Sequence, residues 1–195
     1  MSGLHSGLTG ADLHESKGTA AAGAGSILIA DGAGSASWQL NQVDFIGVVL
    51  SDSTIQTAPA SGEKNPIIFD TNLVIEGVGH TAGSADFLIL SPGFYQLVCI
   101  PLFVTGGGGA GSVEVSWEVN TGTGFTTIPG SATSNFMTAL DEKTVVAVAR
   151  VFLSASNLIR SAWATNSTNV NIQPGTSLVG DTIASARQFI THNGN

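Results

Sequence analysis

From residue 43 onward, no segment sustains a helical spacing of apolar residues for as long as about ten residues. Short apolar or alternating stretches are instead cut at intervals by glycine and proline. The candidate strands are 43–50, 66–70, 72–76, 85–90, 94–104, 112–119, 124–128, 143–153, 158–164, 169–173 and 182–191. Ser91-Pro92-Gly93, Asn120-Thr121-Gly122, Pro129-Gly130 and Pro174-Gly175 supply the turns between them. Many short strands with such punctuation predict an all-β fold, a sandwich or barrel. Only 134–142 departs from the pattern and is expected to be a short helix or a loop.

Two of these strands say how the sandwich is dressed. In 112–119, Val113, Val115, Trp117 and Val119 alternate with Ser112, Glu114, Ser116 and Glu118, the pattern of a strand with one wet face. In 94–104 both faces are apolar. Phe94, Val98, Ile100, Leu102 and Val104 lie on one, and Tyr95, Leu97, Cys99 and Phe103 on the other. A strand apolar on both faces needs a second cover beyond its own core, and a neighbouring copy is the simplest supplier. Tyr95, Leu97, Cys99 and Phe103 are the expected contacts with that copy. Pro101, in the middle of that strand, predicts a bulge or an edge position.

Composition points the same way. Charged residues are 10% of the chain against 43% hydrophobic, far below the roughly 25% charge of ordinary soluble domains. Much of the surface is therefore expected to lie against other subunits. The net charge of −8 and the scattering of Lys17, Lys64, Lys143, Arg150, Arg160 and Arg187 leave no basic patch, which excludes nucleic acid as a partner. No apolar run reaches the roughly 18 residues of a membrane span. The first residues carry neither a charged nor an apolar signal region, so synthesis in a cytoplasm is expected.

Residues 1–40 form a different region, an extended arm preceding the domain at 41–195. The arm is rich in Gly, Ala and Ser, with isolated anchors at Leu4, Leu8, Leu13, Ile27, Leu28, Ile29 and Trp38. Alone it cannot bury enough surface to offset its ordering entropy. Anchors at intervals suit a strap lying on another protein. Ser26-Ile-Leu-Ile-Ala30 is expected to be a short strand, followed by a tight turn at Asp31-Gly32.

The run Gly10-Ala-Asp-Leu-His-Glu-Ser-Lys-Gly18, followed by Ile27-Leu-Ile-Ala-Asp-Gly-Ala-Gly-Ser-Ala-Ser-Trp38, resembles the N-terminal stretch of phage virion proteins, with Ser16 where those carry proline. The remainder resembles the trimeric jelly rolls of the tumour-necrosis-factor and complement-globular-head type. Phe69-Asp70, Phe87-Leu-Ile-Leu-Ser-Pro-Gly-Phe-Tyr95, the alternating 112–119 strand, 144–155 and 183–190 carry that likeness. Together these resemblances imply a homotrimeric capsid decoration (cement) or head-fibre protein on the outer surface of a virion. Its arm would dock on the major capsid protein or another virion protein through Leu4, Leu8, Leu13, His14, Ile27, Ile29 and Trp38. The alternative is the tip of a tail or short fibre that binds a host surface glycan. The glycine-rich loop 105–112, expected to be mobile, and exposed Trp163 or Tyr95 would then be the contacts.

No catalytic constellation emerges, and no enzyme, cofactor or metal is expected. His5, His14, His80 and His192 lack partners at ligand spacing. Glu114 and Glu118, four residues apart on a strand, stand roughly 13 Å apart, too far for a glycosidase pair at about 5–10 Å. They are expected to be a solvated strand face. The 105–112 loop lacks the Gly-Lys-Ser/Thr ending of a phosphate loop. Cys99 sits in an apolar run and is expected to be a buried, inert thiol. Asn166-Ser167-Thr168 fits a glycosylation sequon by coincidence.

Overall fold

The computed structural model describes residues 26–30, 36–40, 44–51, 55–58, 60–75, 77–106, 109–176 and 182–192, and of those before residue 55 the backbone. The chain divides into two units, Met1–Gln42 and Val43–Asn195. In the first, β1 (Ser26–Ala30) and β2 (Ala36–Leu40) form an antiparallel hairpin in which Leu28 stands opposite Trp38. The anchors Leu4, Leu8, Leu13 and His14, and the Asp31-Gly32 turn, lie outside the described residues. Ile27, Ile29 and Trp38 are placed on this hairpin by their backbone.

The second unit is a sandwich of two antiparallel sheets. One sheet comprises β3 (Asp44–Ser51), β5 (Thr71–Ile75), β8 (Gly93–Thr105), β12 (Glu142–Thr144), β13 (Ala147–Leu153), β15 (Val170–Ile172) and β18 (Ala186–His192). The other comprises β4 (Lys64–Pro66), β6 (Val78–His80), β7 (Phe87–Ile89), β9 (Gly111–Asn120), β10 (Phe125–Thr127), β11 (Thr133–Met137) and β14 (Leu158–Thr165). A short ribbon pairs β16 (Gly175–Thr176) with β17 (Thr182–Ile183). The chain crosses between sheets from β3 to β4, β4 to β5, β5 to β6, β7 to β8, β8 to β9, β11 to β12, β13 to β14 and β14 to β15. The result is the expected all-β jelly roll.

Between the sheets lie the inward positions of alternating strands. Val113, Val115 and Trp117 of β9 meet Tyr95, Leu97, Cys99 and Phe103 of β8, all fully buried. The bulky rings are not simply apolar filler. Trp117 donates its indole N–H to the Ala147 carbonyl across the sandwich at 3.2 Å, which satisfies the donor and fixes the ring. The Tyr95 hydroxyl donates to the Ser91 carbonyl at 2.6 Å. Phe103 packs on Trp163 with centroids 5.4 Å apart.

Three local expectations are corrected. Residues 133–137 are a strand, not a helix or loop. β11 pairs with β9 from Thr133 opposite Val115 to Met137 opposite Gly111, and only Met137 of it is buried. Its side chains carry little apolar pattern because its stability comes from the ladder with β9. Pro101 makes no bulge. The register on its two sides is the same, with Thr144 opposite Leu102 and Ala147 opposite Cys99. Pro101 accepts from the Val145 N–H at 3.2 Å but has no N–H to return, so the partner, expected as one strand over 143–153, is interrupted between β12 and β13. Finally, the outward face of β9 is only partly wet. Ser112 is exposed, but Ser116 and Glu118 are buried.

Candidate interaction surfaces

The alternation in β8 decides which of its two apolar faces looks inward. Tyr95, Leu97, Cys99 and Phe103 are wholly enclosed within the protomer. They cannot touch a second copy, and the expectation that they form a trimer contact is corrected. Their alternates line the open side of the sheet instead. Phe94 is 46% exposed and Phe152 of β13 is 53% exposed. Val146 and Val148 are exposed as well, and Val98, Ile100 and Phe189 are half-buried.

Register assembles these residues into rows. Phe152 stands opposite Phe94. One step along, Arg150 stands opposite Gln96, which faces Thr191 of β18 on its other side. The next outward row runs Val148, Val98, Phe189, and continues in register through Val48 of β3. An apolar band therefore lies on either side of a polar one. Arg150 and Arg187 are both exposed on this sheet and have no ion pair among the described residues. Ile100, Leu102, Thr144, Ala184, Arg187 and Phe189 enclose a dimple of about 160 Å³ at the far end. Single exposed apolar residues are ordinary, whereas rows of them on one sheet mark an interface. The sequence signal for this face is the alternation Val146, Val148, Arg150, Phe152.

The outer face of the other sheet is chemically different. Arg160 pairs with Glu118 at 2.8 Å and lies over the Phe125 ring, 3.7 Å from its centroid. Lys64 reaches Glu114 at 3.3 Å and also donates to the hydroxyls of Ser116 and Thr127. Each of the two carboxylates thus has its own cation, and Glu118 is covered rather than solvated. Beside Glu114 a groove of about 240 Å³ opens between the ends of β9, β11 and β14.

The proposed sugar platforms do not survive. Trp163 is 1% exposed and Tyr95 not at all, both belonging to the core. The described ends of the 105–112 loop lie against 166–169. The Gly106 N–H donates to the Asn169 carbonyl at 2.9 Å, and a Cβ at Gly111 would meet that of Ser167 at 2.5 Å. Cys99 is buried, and burial pushes its thiol up to about 12, so it stays protonated. His80 stacks on Phe87 with centroids 4.1 Å apart, and burial lowers its pKa. His192 packs on Tyr95, well away from it in the other sheet. Among the described residues, no three His, Cys, Asp or Glu side chains gather as metal ligands would.

The fold and this surface define an antiparallel jelly-roll module with one open apolar sheet. It is similar in structure to the globular domain of zebrafish complement 1qA protein, with 12% identity and a TM-score of 0.48 over 74% of this chain and 92% of that one. It is likewise similar to murine APRIL in crystals at pH 5.0, with 10% identity and a TM-score of 0.48 over 74% of this chain and 98% of that one. No protein-family model matches the chain, and no curated protein does.

Proposed function

We propose that the chain is a structural subunit of a bacteriophage particle, a homotrimeric capsid decoration or head-fibre protein docked through its N-terminal arm. The observation that carries the reading is the open sheet. Phe94, Val98, Val148, Phe152 and Phe189 stand on the solvent side of a protomer with only 10% charged residues. Burying such rows against two further copies removes apolar area from water at about 25 cal/mol per Å², and a closed ring satisfies every copy equally. The resemblance of residues 10–38 to virion proteins supplies the second half of the reading, attachment to the major capsid protein on the outer surface. The role is mechanical: trimer burial and arm docking tie neighbouring capsid subunits together. Chemistry on a substrate has no part in it.

Light scattering tests the first half. Three copies of 19.7 kDa give about 59 kDa, and a mass of one copy at micromolar concentration overturns the trimer. Co-sedimentation with capsids tests the second. The full chain is expected to pellet with them and a chain lacking residues 1–40 to stay in the supernatant. Pelleting of the truncated chain overturns the arm's role.

A further inference from the structure

We propose that the groove beside Glu114, on the sheet opposite the open apolar one, binds a single neutral sugar ring of a surface glycan. Its construction follows from register. Lys64, Ala164, Glu114 and Ser134 form one row across β4, β14, β9 and β11. Phe136 stands opposite Ser112 in the adjoining row, and the Ser112 N–H donates to the Asn166 Oδ1 at 2.7 Å. Ala164 is small and Gly62 has no side chain, so the floor between the rows is low. The resulting groove holds about 240 Å³, less than the roughly 300–1,000 Å³ of a drug-sized pocket and matched to one pyranose ring.

The polar groups at its wall are offered rather than consumed. Glu114 uses Oε1 toward Lys64, and Oε2 has no partner among the described residues. Asn166 accepts from Ser112 through Oδ1, and its Nδ2 makes no hydrogen bond with the described residues. The hydroxyls of Ser61, Ser112 and Ser134 are likewise without described partners. A carboxylate oxygen, an amide N–H₂ and several hydroxyls give mixed acceptors and donors in one place. Vicinal sugar hydroxyls, each both donor and acceptor, match that mixture. In the adjoining row, outside the residues that line the groove, Phe136 is 56% exposed, a flat apolar surface for the C–H face of the ring. The Lys64–Glu114 pair leaves the groove without net charge, which selects a neutral sugar over a sialic acid or a phosphate.

This site deepens the glycan-binding alternative, relocating it from Trp163 and Tyr95. It is independent of the trimer and of the arm, so light-scattering mass and capsid binding are unaffected by its failure. The test is an amide-resolved NMR titration of the full chain with methyl glycosides of glucose, galactose and N-acetylglucosamine, and with sialic acid as the charged control. At least one neutral glycoside is expected to shift Ser112, Glu114, Ser134, Phe136 and Asn166 with a Kd on the order of millimolar. Phe136→Ala should weaken it roughly tenfold by removing the ring contact. Ala164→Leu, which fills the floor, should abolish it, while both variants keep the remaining spectrum. No shift with any neutral glycoside overturns the site. So does binding that survives in both variants, or preference for sialic acid.

Discussion

Phe94 and Phe152 meet edge to face across β8 and β13, their centroids 5.3 Å apart at 78°, on the solvent side of the sheet. An aromatic pair of this kind contributes about 0.5–1.5 kcal/mol beyond its area, yet here roughly half of each side chain is left in water. The pair is the end of the open apolar surface. Replacing both with serine is expected to leave single copies of 19.7 kDa in place of the proposed trimer of about 59 kDa, with unchanged far-ultraviolet circular dichroism. A variant that retains the trimeric mass would remove this face from the interface.

The two faces of β8 should answer differently to truncation. Leu97 is fully buried between the sheets, so Leu97→Ala is expected to cost about 2–5 kcal/mol in urea unfolding. Gln96, its exposed neighbour, should tolerate alanine within about 0.5 kcal/mol. A larger cost at Gln96 would mean that the assignment of faces is reversed, and equal costs would mean that the faces do not differ.

Asp141 closes the turn before β12. The Thr138 N–H donates to its Oδ2 at 2.6 Å and Lys143 stands 3.0 Å away, and these contacts, the backbone one first, hold the carboxyl at about 2. Its folded pKa lies below the ordinary 3.8, so the stabilisation is complete above that value and is lost as pH falls toward 2. Asp141→Asn is expected to lower the melting temperature at pH 7 and to converge with the parent near pH 2. A gap that stays constant with pH would show that the charge is irrelevant.

Gly111 opens β9 because nothing larger fits. A Cβ there would lie 2.5 Å from Ser167 Cβ and 2.9 Å from Asn166 Oδ1. Gly175 meets only the movable ends of two side chains, Glu142 Oε1 at 2.5 Å and Leu102 Cδ2 at 2.7 Å. Alanine at Gly111 is expected to cost about 1–3 kcal/mol, read as a lower urea midpoint, and alanine at Gly175 less. Full stability of the Gly111 variant would show that its neighbours yield freely.

At Leu140 the backbone is left-handed, with φ of 62°, and its side chain is 78% exposed. Such a conformation costs a branched residue about 1–2 kcal/mol, and no buried contact offsets it. Leu140→Asn should therefore raise the melting temperature. A decrease would reveal a packing role for the leucine.

Much of the sandwich is written in local chemistry. Gly and Pro turns separate the strands, and the inward alternation of Val113, Val115 and Trp117 is visible before any fold is known, because a pleated strand presents every second residue to the same side. The strand at Thr133–Met137 was not legible, since exposed polar residues held by a backbone ladder leave no periodic mark. Nor was the covering of Glu118, which depends on Arg160 reaching across from a strand distant in sequence.

The sequence by itself determined that the chain is all-β, poor in charge and apolar on both faces of β8. Which face is core was a tertiary decision. Tyr95 and Phe103 could be enclosed because Ser91 accepts the Tyr95 hydroxyl and Trp163 receives the Phe103 ring. Phe94 and Val98 were thereby turned outward, because adjacent residues on a strand point to opposite sides and only one set can face the second sheet.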